Sequence, residues 1–330
     1  MDAVNAVAHQ LMIILGIIMF IFGLIGNILN IYVFLSWCRL KKKSRRRSRN
    51  ARSSNSSLYL LTSSISNLII IIFPFLTRII FDGFQYSLNQ RNGFILCKLR
   101  YYVLHTFDLT SLTCICMATF DRYLISSRQV RLRHMSTVRK RTKQVILFVI
   151  TLNILHSIPI GFFFDVSNQG RCTILSRKFL YYYLWTFQIC FHSLIPILFL
   201  TIFGVLTYRQ LKKIKRTKRK GVLGSDKRLS RMLLLMSAAI VLSSIPYCIE
   251  HVYNVLIRKD PFKQPSYIYL YHVITSILFY TNPVTSFYIF FISTPNFRKQ
   301  VRKLFFCTSS DCNYDTESFT MITTLHNSHE

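Results

Sequence analysis

The sequence predicts an all-α membrane protein: a seven-transmembrane helix bundle with a short amphipathic eighth helix. Three observations predict it. Of 330 residues, 51% are hydrophobic and 16% are charged, where soluble domains carry about 25% charged residues. Seven apolar runs follow one another, each close to the roughly 20 helical residues that cross a bilayer core. The basic residues gather in alternate connectors. A net charge of +30 on a soluble chain would suggest nucleic acid, but half of this chain is apolar, so the cations belong between spans.

The runs cover 11–35, 58–81, 96–124, 144–164, 179–207, 232–257 and 267–292. The second, with four successive isoleucines before Phe73-Pro74-Phe75, is almost pure hydrocarbon, whereas the third and sixth carry polar residues. Lys41, Lys42, Lys43, Arg45, Arg46, Arg47 and Arg49 follow the first run. Arg128, Arg131, Arg133, Arg139, Lys140 and Arg141 follow the third, the basic stretch 208–220 the fifth, and Arg298, Lys299, Arg302 and Lys303 the seventh. The other connectors are poorer in Lys and Arg. This single phase predicts an extracellular N-terminus, a cytoplasmic C-terminus and an odd number of spans. The expected organisation is an extracellular N-terminus at 1–10, a seven-transmembrane domain at 11–294, an amphipathic helix at 295–306 and a disordered cytoplasmic tail at 307–330. The segment before the first run lacks a basic n-region, so that run is expected to remain as an anchor.

A charge near the centre of a membrane helix costs about 2.5–3.5 kcal/mol on insertion scales. Asp108 and Glu250 lie within spans, and a cavity open to the outside is expected to hydrate them. Asp82, Asp165 and Asp260 fall at outer ends, Asp121 and Asp226 at inner ends. Cys97 opens the third span and Arg122 closes it, about 37 Å apart along a helix. Of the 9 cysteines, Cys97 and Cys172 fall in outer segments. A bridge between them would tether the connector of spans four and five to the top of span three; two free thiols are the alternative. Asn55-Ser56-Ser57 is a glycosylation sequon on the inner side, where it should go unused.

Seven spans, Cys97 and Cys172, and Asp121-Arg122-Tyr123 ending span three resemble the rhodopsin-like G-protein-coupled receptors. So do Gly26-Asn27, Pro196, Pro246 and Asn282-Pro283, each in the expected span, and the resemblance covers about residues 10–306. It implies a plasma-membrane receptor that binds an extracellular ligand in the outer half and activates a heterotrimeric G protein through Asp121, Arg122 and Tyr123. Asp226 would pair with Arg122 at rest. Pro196, Pro246 and Pro283, each lacking a backbone donor, would be bending points. Cys307 falls at the family's palmitoylation position.

The chain departs from the family pattern in places. Asn67 replaces the usual Asp of span two, so Asn67, Ser111 and Asn282 could keep hydrogen bonds but supply no charge, and sodium binding is expected to be weak or absent. Ser244 stands where an aromatic toggle is usual, Gly204 where a Tyr is usual, with Tyr208 one turn on. Ser286 replaces the tyrosine of span seven, and Tyr288, two positions on, lies about 200° around the helix.

The resemblance disfavours an amine, because Leu104 occupies the position of the amine-binding Asp, and retinal, because span seven has no mid-membrane Lys. Arg78, Arg100, His105, Asp108, Tyr247, Glu250, His251, Tyr253 and Tyr271 line the outer half. Mixed charge among tyrosines suits a peptide, whose termini and aromatic side chains both need partners. Anionic lipid is the expected partner of the basic inner segments. A transporter or channel would show repeat symmetry, matched broken helices or charge rings, and the sequence has none. A non-coupling scaffold or decoy receptor is the other alternative. The sequence offers no metal-ligand cluster, phosphate loop or placed nucleophile, so neither an enzyme nor a cofactor is expected.

Overall fold

Backbone amides inside a bilayer have no water to bond, so apolar runs of this length satisfy them internally as helices. The structure, a computed structural model, describes residues 3–43, 54–86, 90–127, 129, 131–132, 139–166, 172–174, 176–215, 223–256 and 266–305. Among the described residues, seven helices are long and apolar enough to cross a membrane.

Helix α1 spans Ala3–Lys43. At about 1.5 Å per residue it is longer than a bilayer core is thick. It begins well before the apolar run, and the expected free N-terminus is mostly helix. Ala8 and Met12 are buried there, and His9 Nδ1 lies 2.6 Å from the carbonyl oxygen of Asp82. Helix α2 starts at Ser54–Ile70, passes through a π-helical turn at Ile71–Phe75 that contains Pro74, and continues through Leu76–Arg78 and a second π turn at Ile79–Gly83. Proline cannot donate a backbone hydrogen bond, and the i→i+5 turn accommodates that loss.

Helix α3 is Gln90–Ser126 and α4 is Arg139–Phe163. A short antiparallel hairpin follows, β1 Phe164–Val166 and β2 Cys172–Ile174, pairing Val166 with Cys172. Helix α5 starts at Arg177–Tyr182, capped by the Ser176 hydroxyl, which accepts from the Phe179 amide. It runs through a 12-residue π-helix, Tyr183–Leu194, and returns to α geometry at Ile195–Lys215. Helices α6 (Leu223–Leu256) and α7 (Ser266–Ser293) each contain a proline, Pro246 and Pro283. Helix α8, Pro295–Phe305, follows directly.

The share of the apolar window buried is 72% in α3 and 22% in α4, so α3 is the axis of the bundle and α4 lies at its margin. Helix α1 packs between α2 and α7. Its approach depends on glycine: a Cβ on Gly26 would fall 2.9 Å from the Phe287 side chain, and one on Gly23 2.7 Å from Ile71. Helix α8 buries Phe297 and Val301 on the bundle, with Phe297 packed among Phe34, Trp37, Phe287 and Phe290. Its basic residues Arg298 and Arg302 lie on the other, more exposed face.

Candidate functional site

The bundle has two polar ends joined by α3. One carries a disulfide between Cys97 and Cys172, with Cα atoms 5.7 Å apart, which ties the hairpin to the start of α3. The other carries Asp121-Arg122-Tyr123.

At the latter end Arg122 is 1% exposed and Asp121 6%. Both meet the hydroxyl of Ser56, at the start of α2. Ser56 donates to Asp121 Oδ2, and Arg122 Nε donates to Ser56 Oγ at 2.8 Å. One small side chain thus joins α2 to both members of the charged pair. Asn55 and Ser56 of the sequon are buried in the first turn of α2. Tyr123 packs against Phe120 and Phe203. Asp226 falls in α6, but its side chain lies outside the described residues, as does Cys307.

Between the ends runs a ladder of neutral groups. Ser111 Oγ donates to Asn67 Oδ1 at 2.6 Å and meets Ser63 Oγ at 2.8 Å. Asn27 donates to the carbonyl of Pro283 at 2.8 Å, and Asn30 to Ser286 Oγ at 3.1 Å. Asn282 accepts from Ser243, on α6. The expected Asn67–Ser111 link is therefore present, while Asn282 turns to α6. Ser286 occupies the interior position on α7. Tyr288 points outward and donates to the carbonyl of Phe22 at 3.2 Å. Tyr208 is 58% exposed, so it does not take up the interior place left at Gly204. Ser244 is buried, as is Leu104 at the other end.

At the disulfide end the polar groups are charged. Arg78 is gripped by Asp82 one turn on, Nε to Oδ2 at 3.0 Å. Its Nη2 donates to His272 Nε2 at 2.8 Å and to Ser276 Oγ at 2.7 Å. The other His272 nitrogen, Nδ1, donates to Glu250 at 2.5 Å, and Glu250 also accepts from Thr275. This network links α2, α7 and α6. Arg100, on α3, shares Asp82 at 4.0 Å and lies against the rings of Phe81 and Tyr101. Its buried Nε has no hydrogen-bond partner among the described residues. Tyr247 stacks on Phe279, closing the floor of this region.

A second network joins α3 to α5. His192 Nδ1 lies 2.6 Å from Asp108 Oδ2, and His192 Nε2 lies 2.9 Å from His105 Nδ1. His105 Nε2 lies 2.7 Å from the Tyr183 hydroxyl, which also accepts from Gln188 at 2.6 Å. Local winding makes this possible. At about 100° per residue an α-helix would set Tyr183 and His192 on opposite faces. The wider i→i+5 turns of the π segment bring both to His105.

One expectation changes here. Asp108 and Glu250 are 7% and 2% exposed, so histidine partners satisfy them in place of a water-filled cavity. Tyr271 and Tyr253 are 42% and 43% exposed. The His251 side chain lies outside the described residues. Sequence reasoning missed His192, Tyr183, Gln188, His272 and Ser56. Among the described residues no group of three or more His, Cys, Asp or Glu could hold a metal ion.

Seven apolar helices, a disulfide clamping the hairpin to α3 and a buried Asp-Arg pair at the far end of that helix define a class: multi-pass membrane receptors. The family model for 7 transmembrane receptor (rhodopsin family) matches residues 84–286, well over half of the chain. The chain belongs to that family, and it is a receptor, not an enzyme. No curated protein matches it. Membership implies an extracellular ligand, a G protein and the plasma membrane.

Proposed function

We propose that the disulfide end faces outward and takes a peptide, and that the Arg122 end activates a heterotrimeric G protein. The carrying observation is the pair of buried arginines, Arg78 and Arg100, which share the single carboxylate of Asp82. An acidic or C-terminal carboxylate group on the ligand would meet Arg100, whose Nε has no hydrogen-bond partner among the described residues. The neighbouring Tyr101 and Tyr247 suit aromatic side chains. Arg78 and Glu250 then hold the walls, α2, α7 and α6, at the spacing the ligand reads.

In this reading ligand contact biases α6 about Pro246 and opens the Arg122 end, with Asp226 as the resting partner of Arg122. The basic inner segments lie on anionic lipid, and Cys307 carries the acyl anchor. A non-coupling scaffold is the second reading, favoured by Ser286, which is tied to Asn30 in place of the family tyrosine.

The test uses intact cells expressing the chain with an N-terminal epitope tag. They are challenged with a peptide panel made with free and amidated C-termini and read by G-protein activation. The expected result is surface labelling of the tag and an activating peptide whose potency falls at least about tenfold on Arg100→Ala, as loss of a charge-assisted contact predicts. An activating ligand indifferent to Arg100, or a tag reached only after permeabilisation, contradicts the proposal.

A further inference from the structure

We infer that the Asp108–His192–His105–Tyr183 chain is a proton-binding site, so that the charge held between α3 and α5 depends on the pH of the solution at the disulfide end. The inference does not depend on the chemistry of the ligand.

The donors can be counted. With Asp108 ionised, His192 Nδ1 carries a proton toward it. His192 Nε2 then accepts from His105 Nδ1–H, and His105 Nε2 accepts from the Tyr183 hydroxyl. Both rings are neutral, each of these bonds is made, and the chain holds the one negative charge of Asp108.

This arrangement has room for one more proton. A proton from the solution binds His105 Nε2, Tyr183 turns from donor to acceptor, and its own O–H turns to Gln188, whose side-chain amide flips to present its oxygen. The proton on His105 Nδ1 passes to His192 Nε2. His192 becomes an imidazolium facing Asp108, and the net charge of the chain goes from minus one to zero. The contacts between α3 and α5 persist while a buried, uncompensated charge is removed. Histidine is the side chain that ordinarily makes this change near neutral pH.

The surroundings come from every packed element. Tyr101 of α3 stacks on His105. His156 of α4 stands within electrostatic reach of His192, and its buried Nε2 has no hydrogen-bond partner among the described residues. Tyr247 of α6 and Tyr280 of α7 act on Tyr183, as does Tyr101. Phe164 of the hairpin packs on Tyr183 and Tyr101, covering the chain where it approaches the disulfide.

His272 supplies an internal contrast. Its Nε2 accepts from Arg78 and its Nδ1 donates to Glu250. Arginine can only donate, so His272 cannot take a second proton while that contact lasts. One histidine network ends in a reversible hydroxyl, the other in a fixed donor.

The experiment uses the full-length receptor in lipid nanodiscs, labelled with 15N-histidine and titrated from about pH 8 to about pH 5, the range in which ordinary histidine changes charge. The expected result is one proton taken up by a coupled pair of rings, with those signals removed by His192→Gln and His105→Gln. The ring assigned by His272→Gln stays neutral throughout. A second measurement guards against misfolded variants: thermal midpoints of the wild type and Asp108→Asn over the same range. Over this range the unfolded chain protonates both histidines, whereas the folded pair takes one proton in the wild type and none without the Asp108 carboxylate, so the pair lowers both midpoints as pH falls and the wild type falls by about 2 °C or more less than Asp108→Asn. Neutral His105 and His192 rings down to about pH 5, or parallel pH dependence of the two midpoints, overturns the inference.

Discussion

Helix α2 passes through two different solutions to the same problem. Toward the disulfide, Arg78 is held by Asp82, His272 and Ser276. Nearer the Arg122 end, Asn67 accepts from the hydroxyl of Ser111. The disulfide half satisfies its buried polar groups with charges that reach across helices; the middle of the bundle uses amides and hydroxyls. The difference matters energetically. A buried charge stripped of its partner costs about 3–5 kcal/mol, whereas a neutral hydrogen bond contributes about 0.5–1.5 kcal/mol net. The charged half is therefore sensitive to anything that supplies or removes charge, which suits a ligand-reading end, and the neutral ladder tolerates rearrangement.

The largest expected effect breaks the charged half. Glu250→Ala leaves His272 without its carboxylate and Asp82 to balance both Arg78 and Arg100, and thermal denaturation of the purified receptor should register about 3–5 kcal/mol of lost stability. Glu250→Gln, which keeps an acceptor for Thr275, should lose less. Packing comes next. Gly26→Val drives a side chain into Phe287 and should cost about 1–3 kcal/mol by the same measurement. If Ser111→Ala costs as much as Glu250→Ala, the contrast between the halves fails; about 1 kcal/mol is expected. The smallest effect belongs to Tyr288→Phe, whose hydroxyl meets Phe22 at the exposed face of α1 and α7. It should stay within about 0.5 kcal/mol, as exposed substitutions do.

Much of this contrast was legible in the sequence. Arg78, Asp108 and Glu250 stand out because charges are rare in apolar spans, and the seven spans follow from the apolar runs and the alternation of basic connectors. The disulfide partners followed from their position in the connectors. What escaped did so for physical reasons. His192 and Tyr183 share a partner only because α5 winds as a π-helix, and α-helical spacing separates them. His272 carries no formal charge, so a search for misplaced charges passes over it. Ser56 reads as part of a polar connector, yet α2 begins early enough to bring it to Arg122. His9 reads as part of a free terminus because the segment before Leu11 is short of strong hydrophobes, but α1 carries it to the carbonyl of Asp82.

Signalling through the Arg122 end is the claim on which the functional account turns. It is tested most directly by guanine-nucleotide exchange on a heterotrimeric G protein, comparing wild type with Arg122→Ala at equal surface expression. The account predicts exchange with the wild type and its loss in the variant. Equal exchange by both would contradict it.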